Sequence, residues 1–565
     1  MSSVPSQAAD ARDPAPAPRW LQPLLLALVG LLALYRALYH FAFLELDPFA
    51  VAPVSDGRVY LEAAADLLAH PPLGREPFWL QGAYAAQLAV PMAWGGLAAA
   101  LLLQLALAAF ALWWLHRALR RSHGAIVAAL ASVLLLAYAA LAFYENKILS
   151  ASLAVVCSVA VVTTFLSAQA QPRLRALLWC GVAAGLALLA RPNLALAIPT
   201  TAWALALLRR RASLSVAPAL ASFGLGLLLA LAPMALRNAV VTGSPSVLPV
   251  HGGGTSFYIG NNAQARGVWN AAGVLSGDVT REREELGVDV AGASPAEATA
   301  RSQALGRALY TRAWQEIADD PGRWLWLELR KAWLLLGNDE LAQDYDVWGE
   351  RELIPWAWPV GVPFGVFAAL ALVGFVIERR DPQARPRLWC LGGLVLATVL
   401  ANLVFFTSSQ HRLPLVVPLA PWAALGALAS ARWLRRAITT RALPRRDRLL
   451  AAVAVLVALQ AAWPRTRVRT PSAVHYYNLG IAYDRVGELR PALHAFDRAL
   501  ELRPDHPVMR IERASVRVMA NDFAGAQQDL AVLREQPDAP AWVRTRAAQL
   551  EHQLRPATAP QRPGP

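Results

Sequence analysis

Long apolar runs separated by short arginine clusters constrain this chain more than anything else in it. The first run extends from Trp20 to Leu44, too long for the apolar part of a signal peptide and with no small-residue cleavage site after it. Further runs lie near 95–115, 124–142, 148–168, 176–190, 193–208, 214–236, 355–377, 388–404, 413–431 and 449–463, which makes about eleven predicted spans. Only 16% of residues are charged, well below the roughly one quarter usual in soluble domains. Soluble α/β and all-β architectures are excluded. The expected fold class is mainly α: a polytopic α-helical membrane protein.

The charge pattern orients it. Arg117, Arg120 and Arg121, then Arg173 and Arg175, then Arg209 to Arg211, Arg379 to Arg387 and the basic 432–448 stretch occupy alternate connections. By the positive-inside rule these connections and the N-terminal tail, 1–19, are cytoplasmic. The opposite, outer side receives 45–78, the large loop 237–354 and everything after 464. The net charge of +14 is therefore orientation charge, and no nucleic-acid motif accompanies it. Cys157, Cys180 and Cys390 lie inside separate spans and read as small core residues. No metal-ligand spacing is indicated.

After Trp463-Pro464 the composition turns charged and amphipathic. Tyr476, Leu479, Gly480, Tyr483, Ala492, Phe496, Ala499 and Pro504 match one tetratricopeptide repeat over 473–506, and Ala514, Ala526, Leu530 and Pro537 mark a degenerate copy over 507–540. The expected unit is a small helical domain at 471–550, followed by a disordered tail, 551–565. It is either a docking module for a protein partner or a structural cap. An array this short is expected to lean on the membrane domain, 20–464, or on a partner.

The chemistry is expected on the outer side. Asp56 opens a helical stretch close to the membrane surface, with Tyr60 four residues on; locally, it also reads as a helix N-cap. Glu145, Asn146 and Lys147, the Arg191-Pro192-Asn193 turn, Arg237-Asn238 and His411-Arg412 fall at the same level. Arginines there run against the positive-inside trend, and a cationic cluster suits an anionic ligand such as a phosphate. The loop also carries His251-Gly252-Gly253-Gly254, which permits close backbone approach, followed by Gly260-Asn261-Asn262.

The order of these motifs resembles the GT-C superfamily of polyprenyl-phosphate-sugar-dependent glycosyltransferases, the group holding protein O-mannosyltransferases and aminoarabinose transferases. The similarity covers about residues 20–430 and runs from Arg36–Tyr39, Asp56 and Tyr60 through Phe143–Lys147, Ala190–Pro192, Leu236–Asn238 with Thr242-Gly243, Phe257–Asn262, Arg330-Lys331 and Asn338–Glu340 to His411–Pro414 with Pro418. It implies inverting transfer of a sugar from a lipid-phosphate co-substrate to an outer acceptor (a lipid, glycan or protein) in a bacterial cytoplasmic membrane. Asp56 would be the general base. Arg191, Arg237, Lys147 and Arg412 would hold the donor phosphate, and Tyr60, Glu145, Asn146, Gly260, Asn261 and His411 would line the donor and acceptor pocket. Where the family carries a Pro-Leu-Tyr-Pro segment after the first loop, this chain has Gly82-Ala83-Tyr84-Ala85. That departure motivates the alternative of a non-catalytic scaffold presenting its repeats to an envelope assembly.

Overall fold

The computed structural model describes residues 18–208, 215–269, 292–356, 361–439, 444–463 and 471–554; the expected terminal tails lie almost wholly outside them. The chain is helical, and a bridge between Val268 and Thr407 is the one pairing of extended backbone among the described residues. Six helices are long and apolar enough to cross a membrane: Leu21–Leu46, Gly82–His123, Ser150–Ala170, Val216–Thr242, Pro382–Val404 and Ser409–Thr439. Ala125–Leu136 and Ala139–Glu145, bent by 64°, make a seventh if the bent pair is counted as one span. Leu174–Ala190, Pro192–Leu208 and Phe364–Glu378 are apolar but shorter, and the last expected span is the helix Arg445–Ala462. Every expected span therefore falls on a helix, while fewer than the expected eleven have full membrane length.

Two boundaries differ from expectation. The span expected at 95–115 belongs to a helix that starts at Gly82 and breaks at Gly95 and Gly96, where Gly96 takes φ +63°. A left-handed residue cannot continue a right-handed helix, and glycine takes it at least cost. The span expected at 355–377 begins only at Phe364, behind Pro363 at the N-cap.

The bend between the two halves of the broken span takes carbonyl groups out of regular helical pairing, which is costly away from water, although the Leu135 carbonyl still accepts from the Tyr138 N–H at 3.3 Å. Arg36, from the first helix, supplies further donors. Its Nη2 donates to the Leu135 carbonyl at 2.7 Å and its Nε to that of Leu136 at 3.3 Å. Nη1 donates to both carboxylate oxygens of Glu145, at 2.9 and 2.8 Å. The next free carbonyl, Ala137, accepts from the Val362 N–H at 2.9 Å.

Small residues set a very close helix contact. A Cβ at Gly181 would lie 1.9 Å from the Phe223 carbonyl oxygen, and one at Gly226 would lie 2.0 Å from that of Leu178. Leu174–Ala190 and Val216–Thr242 thus touch backbone to backbone, the close approach that glycine permits in membranes.

The C-terminal unit is two helical hairpins and a closing helix: Ala473–Arg485, Leu489–Leu502, Pro507–Met519, Phe523–Arg534 and Ala541–Leu554. The first hairpin packs Gly480 against the Phe496 ring. In the second, Arg510, Arg513 and Arg517 stand where the first has Tyr476, Leu479 and Tyr483. They converge on Asp529, 1% exposed, with Arg513 Nη2 at 2.5 Å and Arg517 Nη1 at 2.9 Å. An ion cluster replaces the aromatic packing, which is why the second copy reads as degenerate. The closing helix buries Val543 and Leu550 against Ile511 and Leu530.

Candidate functional site

A cavity of about 430 Å³ opens among the interhelical loops on the side away from the arginine clusters. It is assembled from distant segments. The helix Asp56–Ala69 contributes Asp56 and Tyr60, one turn apart on one face. Arg191 enters at the end of Leu174–Ala190, where Pro192 stops that helix. His411 and Gln410 come from the short Ser409–Arg412 helix, and Asp344 from the large loop.

The Asp56 helix begins in an unusual way. Its N-cap is Ser55, at φ +51° and without a side-chain cap bond, a region that non-glycine residues seldom adopt. The Ser55 hydroxyl is turned instead to Asp344 Oδ1, 2.6 Å away. Asp56 is the first helical residue rather than the cap, so the local N-cap reading does not describe it. Tyr60 donates to Gln81 Oε1 and packs edge-on against Tyr84, with centroids 4.8 Å apart. Burial raises the Tyr60 phenol above its ordinary pKa, and the Asp56 carboxylate pushes it the same way. It therefore stays a neutral donor.

Arg191 is 9% exposed, and its Nε–H is buried with no hydrogen-bond partner among the described residues. The first turn of the helix Gly253–Asn261 lines the same cavity through Gly253, Thr255 and Ser256, with Gly252 at φ +107° turning the chain into it. Free N–H groups at a helix start favour an anion. His411 packs against Phe406 at a tilt of 37°, centroids 5.1 Å apart.

The other expected phosphate ligands are engaged elsewhere. Lys147, 1% exposed, donates to Asp47 at 2.9 Å and Glu350 at 2.5 Å and sits 4.1 Å over the Phe43 ring. Burial lifts the Glu350 carboxyl to about 7 against the pull of Lys147. Arg412 pairs with Glu340 at 2.9 Å, donates to the Gly337 carbonyl at 2.7 Å and lies over Phe364. Arg237 holds the Leu73 and Glu76 carbonyls at 2.7 and 2.5 Å and covers Phe78 at 3.7 Å. Each of the three is outside the cavity lining, because its charge is consumed in fixing a loop to a helix end.

Four expected pocket residues are also structural here. Glu145 pairs with Arg36 and borders a second, apolar cavity of about 360 Å³ inside the helical domain. Asn146 Oδ1 lies 2.7 Å from His40 Nδ1. Gly260 lets the Phe405 carbonyl approach to 1.8 Å of where a Cβ would stand. Asn261 Oδ1 accepts from Trp324 and Lys331 at 3.2 and 3.0 Å. Asp344, Gln343, Gln410 and Gln81 line the cavity but were not among the expected residues. The acidic stretch Asp339, Glu340, Asp344 and Asp346 was the one available signal for Asp344; nothing in the sequence marks the glutamines.

The repeat unit abuts this site. Asn478 Nδ2 donates to the Asp344 carbonyl at 2.7 Å, Arg485 Nη1 to that of Pro53 at 2.9 Å, and the Tyr476 hydroxyl to Glu352 at 2.8 Å. Family comparison covers this segment directly. Residues 473–506 match the tetratricopeptide repeat. No curated protein matches the chain in sequence. Among solved structures, the chain is similar to the oligosaccharyltransferase AglB of Archaeoglobus fulgidus, in complex with an inhibitory peptide and a dolichol-phosphate. The identity there is 12% and the TM-score 0.39, over 83% of this chain and 56% of that one; the chain thus spans little more than half of that enzyme. It is also similar to ArnT of Cupriavidus metallidurans, at 14% identity and a TM-score of 0.34 in the apo state, over 83% of this chain and 75% of that one. With undecaprenyl phosphate bound, ArnT matches at 14% and 0.35, over 95% and 89%.

Proposed function

We propose that this chain is an integral-membrane glycosyltransferase. In this reading it moves a sugar from a polyprenyl-phosphate donor to an acceptor on the outer face of the cytoplasmic membrane, with inversion. The observation that carries the reading is the meeting of Asp56 and Arg191 in one cavity, with Arg191 Nε unpartnered there. Asp56 takes the proton of the acceptor as its oxygen or nitrogen attacks the anomeric carbon, and the lipid phosphate departs on the opposite face of the sugar. Arg191 and the helix start at Gly253 stabilise the charge that collects on the departing phosphate. The donor class is what the resemblance to the GT-C superfamily implies, and the orientation is what the arginine clusters on the far side support. The repeat unit then stands outside the membrane beside the cavity, where an acceptor or protein partner reaches it.

The test is transfer of labelled sugar from a polyprenyl-phosphate donor by the purified full-length chain. Asp56→Asn keeps the size and loses the base, so transfer is expected to drop by about 10²–10⁴-fold. Transfer by this variant at the wild-type rate removes Asp56 from the role; no transfer by wild type from any such donor, with donor still bound, favours the scaffold.

A further inference from the structure

The cavity lining joins a cation, Arg191, to two amide side chains, Gln343 and Gln410. Gln410 is 2% exposed, and its Nε2 donates to Asp344 Oδ2 at 3.3 Å. That contact fixes the amide: flipped, it would set the carbonyl oxygen against a carboxylate oxygen. Gln410 Oε1 is left buried with no hydrogen-bond partner among the described residues, and so is Oε1 of Gln343. Both glutamines line the cavity, together with the carboxylates of Asp56 and Asp344. Buried polar atoms are nearly always satisfied, so two orphan acceptors in one cavity mark groups that a ligand completes.

So held, Gln410 Oε1 accepts and cannot donate, while the Gln343 amide can turn either end to the cavity. A phosphate oxygen offers Gln410 Oε1 nothing, and a second carboxylate would meet the Asp56 and Asp344 that line the same cavity. A sugar hydroxyl supplies the missing donor. Resting on the glycosyl-transfer reading above, we infer that Gln343 and Gln410 bind hydroxyl groups of the transferred sugar and that this sugar is neutral, not a uronic acid. Arg191 holds the phosphate end and the glutamines read the sugar end.

The experiment measures affinity of the full-length chain in detergent for three probes: a short-chain polyprenyl phosphate, the same lipid carrying glucose, and the same lipid carrying glucuronate. Two hydroxyl–amide hydrogen bonds make the glucosyl lipid bind about tenfold or more tighter than the bare lipid. The glucuronosyl lipid is expected to bind no tighter than the bare one. Gln343→Leu and Gln410→Leu, tested separately, each remove most of the glucosyl advantage and leave the bare lipid's affinity unchanged. Gln343 guards against misfolding of the Gln410 variant, whose amide also holds Asp344. An advantage that survives in both variants, or a glucuronosyl lipid that binds as tightly as the glucosyl one, overturns the inference while leaving the donor site standing. Bare lipid that fails to bind wild type, or binds Arg191→Ala equally well, overturns the donor reading and the inference with it.

Discussion

Asn478 and Asp344 join the repeat unit to the cavity through a single residue. The Asn478 amide donates to the Asp344 backbone carbonyl at 2.7 Å, while the Asp344 carboxylate receives the Ser55 hydroxyl at 2.6 Å. Ser55 precedes Asp56, so the first repeat helix buttresses the loop that sets the proposed base.

Asn478→Ala leaves the Asp344 carbonyl without its donor, a loss of about 1–3 kcal/mol. Faster amide exchange over 341–353 is expected, by about tenfold or more, together with a reduced transfer rate and no change in the exchange of 150–170. Unchanged exchange at 341–353 would show that the repeat does not brace this loop.

Arg191 and Lys147 are expected to fail in different ways. Arg191→Ala removes charge-assisted bonds worth about 1.5–3 kcal/mol, so affinity for bare polyprenyl phosphate falls by about 10–100-fold with little loss of thermal stability. Lys147→Met strands Asp47 and Glu350 against each other, at a cost of about 3–5 kcal/mol. It lowers the melting temperature and leaves the affinity of the folded protein alone. A Lys147 variant that is stable yet blind to the lipid would reverse these assignments.

Arg36→Met strands the Glu145 carboxylate and removes a donor from the Leu135 and Leu136 carbonyls at the bend. The double variant Arg36→Met, Glu145→Leu removes the stranded charge and is expected to melt higher than Arg36→Met alone, a coupling that a thermal-melt cycle measures. Additive losses would mean the pair does not act as a unit.

Acid is expected to loosen the repeat unit. Burial depresses His506 to about 4, with Arg503 adding to the effect, against an ordinary value near 6.5. Between these values the unfolded chain binds a proton that the folded one refuses, so stability is full above about 6.5 and is lost as pH falls toward 4. Amide exchange in Pro507–Met519 should quicken from pH 7 to pH 5 in wild type and much less in His506→Asn, which keeps a capping side chain without titrating.

The helical class and the placement of nearly every span were legible because long apolar runs report removal from water, whether into lipid or into the protein interior, where most of Ser150–Ala170 and Ser409–Thr439 lies. The first repeat was legible for the same kind of reason: Gly480 and Phe496 occupy each other's space, and such packing leaves a fixed spacing. The site was legible only in part. Asp56, Tyr60, Arg191 and His411 meet, but Lys147, Arg237 and Arg412 looked equivalent to Arg191 in sequence. What separates them is whether an acid or a carbonyl from a distant loop has already taken the charge. Glu350, Glu340 and the Leu73 and Glu76 carbonyls do so from the loops, and no local pattern announces such pairings.

The bond from Arg36 to the broken span also carries an order in time. Arg36 stands about a hundred residues ahead of the carbonyls it binds, on a helix that is synthesised before the bent pair. The partner for the Leu136 carbonyl and for the Glu145 carboxylate is therefore in the chain before the bend itself is made.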